Sequence, residues 1–180
     1  EAEHALFRRL YERQSKLVPR YACPEWIAAI GRLDAGRGIP DFEEVNRSLS
    51  RATGWRIVAV PGLIPDEPFF THLANKRFPV TVWLRKPEEF DYIVEPDVFH
   101  DFFGHVPLLG NPVFADYMQM YGQRALEAGA KIDLLARLYW YTVEFGLIRE
   151  GGQNKAFGAG ILSSFAETSF SIDDKSPNRI

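Results

Sequence analysis

The chain has 180 residues and a net charge of −3, so it carries no basic field for a nucleic-acid partner, and it is long enough for one domain with a buried core. Its single cysteine, Cys23, excludes an intrachain disulfide and a cysteine-based zinc site. No apolar run approaches the roughly 18–20 residues that a membrane helix needs, so no membrane partner is expected. Glu1-Ala2-Glu3-His4 lacks the basic start and apolar run of a signal peptide, and a lone thiol suits a reducing compartment. The expectation is a cytoplasmic protein. The missing initiator Met points to a fragment or to ends left out. Phe, Tyr and Trp make up 14% of the residues, which suits either an aromatic-lined cavity or a bulky core.

In chain order, Leu6, Phe7, Leu10, Tyr11, Leu17 and Val18 are spaced for a helix that Pro19 should stop. Pro24 to Leu33 reads as a short helix, followed by a turn at Gly36, Gly38 and Pro40. Asp41 with Glu44 forms a capping-box pattern for a helix ending near Gly54. WRIVAV (55–60) reads as a strand. PGLIPDEP (61–68) reads as a loop, because its prolines cannot donate to a ladder. Phe69 to Arg77 follows as a helix, and PVTVWLR (79–85) as a second strand. Asp97 is placed to cap a short helix carrying His100. Asn111-Pro112 opens a long helix to about Gly129. Ile132 to Ile148 reads as another long, buried, apolar helix. GQNKAFGAGIL suggests a strand or hairpin, and Ser164 with Glu167 a cap for a last short helix. The sum is a mostly α, α+β architecture in a single domain over 1–180.

One stretch stands out: EPDVFHDFFGHVPLL (95–109) holds two of the four histidines, His100 and His105. Five residues on an ideal helix turn by about 140° net, so the two imidazoles share a face only if the backbone departs from that helix or they flank an ion. Gly104 is where a departure would be easy. A third ligand is available in LYWYTVEFGLI (138–148), whose only acid is Glu144. A carboxylate in an apolar helix costs several kcal/mol unless it is paired or bound to a cation. Three readings stand side by side: a metal ligand, a buried ion pair with an arginine such as Arg137 or Arg149, or an exposed Glu on a helix that is not buried throughout. Two His and one carboxylate would match the facial triad of non-haem iron oxygenases, while zinc hydrolases use a similar set. The aromatic neighbours suit an aromatic substrate better than a peptide.

EPDVFHDFFGHVPLL, YWYTVEFGL and KAFGAGILSSFAE, in this order and spacing, resemble the pterin-dependent aromatic amino acid hydroxylases, in a bacterial form, from about Ile39 to about Phe170. The resemblance implies that family's catalytic-domain fold, with helices around an iron cleft. It implies a mononuclear Fe(II) held by His100, His105 and Glu144, and ring hydroxylation with tetrahydrobiopterin and O2. VPGLIPDEPFF matches the family's pterin loop. Gly62, Leu63 and Ile64 would meet the pterin through backbone groups, Phe69 would stack on it, and Asp101 would reach it through water. Arg85 would bind the substrate carboxylate and Asp97 would hold Arg85. Pro96 and Phe103 would wall the substrate ring. Ser163 would touch the substrate end and brace His100, and Tyr139 would lie near the metal-bound water.

The chain departs from the family at Ile93, where animal members carry Thr, and it stops earlier than the family's catalytic domain. No regulatory domain or tetramerisation helix is seen, so a monomer is expected. Trp140 favours phenylalanine over tryptophan as substrate, because an indole there would crowd an indole substrate. A tryptophan hydroxylase is the nearest alternative. A zinc-dependent hydrolase on the same triad, or an amino acid-binding module without turnover, are the other classes.

Overall fold

A computed structural model of the chain describes residues 1–33 and 35–179; Ile180, the last residue of the expected domain, lies outside them. Three N-terminal helices, α1 (Ala2–Ser15), α2 (Val18–Tyr21) and α3 (Pro24–Ile30), lead to α4 (Phe42–Ala52). Pro19 does not stop α1. That helix ends at Ser15, and Pro19 sits in the first turn of α2, where a missing N–H costs nothing. Asp41 caps α4 as expected, accepting from the Glu43 N–H at 2.8 Å and the Glu44 N–H at 3.1 Å.

Strand β1 (Arg56–Val60), helix α5 (Asp66–Ala74) and strand β2 (Arg77–Thr81) form one βαβ unit, with β1 and β2 parallel and Arg56 opposite Arg77. The expected loop ends at Pro65 rather than Pro68, since proline is tolerated in a first helical turn. A π-helical turn, His100–His105, runs into α6 (Val106–Leu109). Asn111 then caps α7 (Pro112–Glu127), accepting from the Val113 N–H at 3.0 Å.

The largest correction concerns 132–148. Helix α8 (Ile132–Tyr139) continues as a second π-helical turn, Trp140–Glu144, and stops there. The Phe145 N–H donates to the Trp140 carbonyl at 3.1 Å, the five-residue closure that defines a π-turn. The Gly146 carbonyl is then taken by the Phe157 and Gly158 N–H groups, which pulls the chain out of the helix. Leu147 and Ile148 fall in β3 (Leu147–Glu150), paired antiparallel with β4 (Gln153–Ala156) through Gly151 and Gly152, both at positive φ. Nor is the segment buried throughout: Leu134, Leu138, Trp140, Tyr141 and Ile148 are exposed. Helices α9 (Ala159–Leu162) and α10 (Phe165–Asp173) complete the described chain. One core joins Phe7, Trp26, Leu49, Phe70, Phe102 and Met118. Both π-turns border it and bring their polar side chains together. Among the described residues, no helix is long and apolar enough to cross a membrane.

Candidate metal centre

The departure from ideal helix that the two histidines require is present. In a π-turn each hydrogen bond spans five residues instead of four, so residues five apart return to one face. The rings of His100 and His105 lie 5.2 Å apart, nearly perpendicular. Glu144, at the end of the second π-turn, meets both. Its Oε1 is 2.9 Å from His105 Nε2 and its Oε2 is 3.5 Å from His100 Nε2. Arg137 and Arg149 make no such contact among the described residues, so the arginine pairing is replaced by a histidine one.

Gly104 acts differently from the expectation. A Cβ there would lie 2.8 Å from both the Cβ and the carbonyl oxygen of Ala159. Its value is close approach rather than an unusual backbone angle: it lets α9 pack directly on the first π-turn. Helix α9 in turn brings Ser163 to His100. The Ser163 hydroxyl donates to the Ala159 carbonyl at 2.8 Å, so its 2.8 Å contact with His100 Nδ1 must be one in which it accepts. His100 then carries a hydrogen on Nδ1, which leaves Nε2, on the Glu144 side, as the nitrogen available to a metal.

Asp97 is the second organiser. It is wholly buried, and its Oδ2 accepts from Arg85 Nε at 2.8 Å and from the Arg85 backbone N–H at 3.0 Å. Its Oδ1 accepts from an Arg85 terminal nitrogen at 2.9 Å and from the His100 backbone N–H at 3.0 Å. One carboxylate thus fixes both the guanidinium and the start of the π-turn. Three guanidinium N–H donors remain without an acceptor among the described residues.

The charges are coupled. Burial would raise the Glu144 carboxyl, but His105, His100 and the Gly160 N–H hold it down at about 2. Burial would lower His105, yet Glu144 more than reverses this and its pKa is raised. Asp101 is raised by burial, against the pull of His100 and the Thr81 N–H, which donates to its Oδ2 at 2.8 Å. Tyr139 is pushed well up by burial and by Glu144, and its hydroxyl is buried with no partner among the described residues.

This donor set fits a divalent metal. Ligand atoms at right angles and about 2.1 Å from an ion lie about 3 Å apart, close to the observed contacts. Atoms of His100, Asp101 and His105 also fall within 4.8 Å of one another. Glu144 is the better third ligand, because both its oxygens face Nε2 atoms whereas Asp101 already accepts from Thr81.

The remaining expected residues are divided. Phe69 is half buried and edge-on to Tyr139 at 5.3 Å, within the shell around His105. Gly62 and Ile64 are partly exposed and Leu63 is exposed, on a loop where a Cβ at Gly62 would touch nothing within 4 Å. Pro96 is half buried beside Asp97. Phe103 is a correction. It is 0% exposed, stacked on Phe99 and packed on Tyr11 and Trp26, so it is core and has no face left for a substrate ring. Trp140 is 56% exposed and leans on Phe145 rather than closing the site. Sequence reasoning missed Gly104 as a packing contact, the Gly160 N–H on Glu144, and Trp26, whose Nε1 donates to the Gly104 carbonyl at 3.3 Å. The glycine-rich GAG was the available signal.

A family model described as biopterin-dependent aromatic amino acid hydroxylase matches residues 1–180. The phenylalanine-4-hydroxylase of Ralstonia nicotianae is 58% identical over 99% of this chain and 58% of its own length. That of Chromobacterium violaceum is 58% identical over 99% of this chain and 61% of its own length. The crystal structure of the C. violaceum phenylalanine hydroxylase with bound oxidized Fe(III) superposes with a TM-score of 0.96 at 56% identity, covering 99% of this chain and 66% of that one. An iron- and phenylalanine-bound structure of the same enzyme gives 0.91 at 55% identity, over 97% and 64%. The chain therefore spans about three fifths of the length of these relatives.

Proposed function

The chain belongs to the biopterin-dependent aromatic amino acid hydroxylases, and from that premise we propose that it hydroxylates the ring of phenylalanine to tyrosine with O2, a mononuclear Fe(II) and tetrahydrobiopterin. The observation that carries this reading is the convergence of His100, His105 and Glu144 from two π-turns, with Nε2-to-carboxylate contacts of 2.9 and 3.5 Å. These three would hold the iron. When bound, iron and pterin supply the activation of O2.

The chain's own residues do the positioning. Arg85, fixed by Asp97, offers its remaining donors to the amino acid carboxylate, a planar match that a lysine could not make. Ser163 keeps the His100 Nε2 lone pair pointed at the ion. Phe78 and Tyr139 crowd His105 and keep water from that side, with Phe69 edge-on behind Tyr139. The backbone groups of Gly62, Leu63 and Ile64, the Phe69 ring and the Asp101 carboxyl would take the pterin. Pro96 would border the substrate ring, and phenylalanine is favoured over tryptophan because the 58% identical relatives are phenylalanine-4-hydroxylases, not because of Trp140, which points away onto Phe145. Residues 1–180 would belong to a single catalytic domain, acting as a monomer in the cytoplasm.

The test is product analysis by mass spectrometry. The chain is loaded with Fe(II) under anaerobic conditions, then given tetrahydrobiopterin, O2 and an equimolar mixture of labelled phenylalanine with unlabelled tryptophan and unlabelled tyrosine. Labelled tyrosine formed only with both iron and pterin is the expected result. Hydroxytryptophan as the main product would overturn the substrate. Turnover without pterin would overturn the reaction.

A further inference from the structure

We infer that Gln14 is a positioning residue for the metal centre and acts through Ser163; this rests on the metal reading above and extends it to a helix that touches no ligand. Gln14 is buried on α1, far along the chain from every site residue. Its Nε2 donates to the Leu162 carbonyl at 2.7 Å and to Thr168 Oγ1 at 2.7 Å, with the Ser164 carbonyl at 3.3 Å. Thr168 directs its own hydroxyl proton to the carbonyls of Ser164 and Ile161, at 2.6 and 2.8 Å, so toward Gln14 it accepts. The amide therefore grips the backbone immediately before Ser163 directly, at Leu162, and the backbone immediately after it through the Thr168 hydroxyl, which donates to the Ser164 carbonyl. That grip fixes the residue whose hydroxyl accepts from His100 Nδ1 at 2.8 Å.

A simpler account is that Gln14 only satisfies the carbonyls at the end of α9, which lack helical partners. That account predicts lost stability and nothing more. A primary amide, however, has two N–H donors at a fixed angle in one plane. Spending both across the Ser163 joint sets where the serine backbone sits, and with it the direction of the Ser163 hydroxyl. Groups that orient a metal-bound histidine typically change metal affinity by about 10–100-fold when removed.

The experiment is a double-mutant cycle with Gln14→Met and Ser163→Ala, read by Co(II) titration and by the ¹⁵N spectrum of the metal-free His100 ring at one fixed pH. We expect each single variant to bind Co(II) about ten-fold or more weakly, with the double variant no weaker than Ser163→Ala alone. In Gln14→Met the His100 ring signals should also shift toward those of Ser163→Ala. Wild-type affinity in Gln14→Met, or fully additive losses, would overturn the inference while loss of Co(II) in His100→Ala keeps the metal reading intact. Undiminished Co(II) binding by His100→Ala would sink the metal reading instead. The ring spectrum then still tests the link from Gln14 through Ser163 to His100, though no longer a role at a metal centre: unchanged signals in Gln14→Met reject the link, and shifted ones support it. Should Gln14→Met fail to fold, Thr168→Val cuts the same grip from its other end and is read in the same two ways.

Discussion

Glu144 and His105 hold each other charged in the metal-free chain, and this fixes the sign of its pH response. The folded Glu144 carboxyl sits at about 2, below its ordinary 4.5, so its stabilisation is complete above about pH 4.5 and is lost as pH falls toward 2. The folded His105 is raised from its ordinary 6.5, so its stabilisation is complete below about pH 6.5 and is lost as pH rises through its folded value. Denaturant midpoints of the metal-free protein should therefore peak between those values, and Glu144→Gln should flatten both flanks; an unchanged profile would mean that the pair carries no stability. Glu144→Ala should lose bound metal in elemental analysis while its circular dichroism stays folded, and full metal content would sink the triad. Arg85→Ala should raise the Michaelis constant for the amino acid roughly 10–100-fold, the worth of charge-assisted hydrogen bonds, and leave that for pterin nearly unchanged. Equal effects on both would reject its role. At this scale the sequence was most legible where chemistry is unusual: two histidines with an acid in an apolar run; the pairing of Arg85 with Asp97 was implied only by the family resemblance. Gln14 was illegible, because a glutamine on an amphipathic helix looks like surface until its distant acceptors are known.

The elements were legible through their caps. Asp41, Asn111 and Ser164 each start a helix where expected, since an N-cap is a local hydrogen bond that the sequence spells out. What local signals could not convey is that the π-turn continuing α8 stops at Glu144, because the cause lies in Phe157 and Gly158 across the β3–β4 hairpin. The π-turns belong to the same class. Each is less favourable than α-helix in isolation and is held by what packs on it, here α9 lodged against Gly104. Gly104→Ala should cost about 1–3 kcal/mol in urea unfolding, the usual range for overpacking. Ala159→Gly in that background should recover only part, because the Ala159 carbonyl oxygen is as close to the added methyl as the Ala159 Cβ is, both at 2.8 Å. Full recovery would show that the side-chain clash alone matters.

For the molecule as a whole, the fold class followed from many helices with few short strands, while the exposure of Leu134, Leu138 and Tyr141 did not, since an apolar run carries no label for which face is covered. The metal would tie together two segments that are separate in the chain, and a ligand that binds only the folded state stabilises it by mass action. A hundred-fold excess over the dissociation constant gives about 2.7 kcal/mol, or roughly 5–10 °C in Tm for a chain of this size. Differential scanning calorimetry should show that rise with Fe(II), its reversal by a chelator, and its absence in Glu144→Ala; a rise that survives in the variant would place the ion elsewhere. The grip of α1 on the α9–α10 joint also has a consequence for biosynthesis. Gln14 leaves the ribosome early, yet its acceptors at Leu162 and Thr168 are made near the end of the described chain. A nascent chain would expose both histidines and Glu144 well before Ser163 could settle the ring of His100. Iron captured before then would meet a His100 imidazole with no assigned proton, so faithful loading belongs to the moment when α9 and α10 dock on α1.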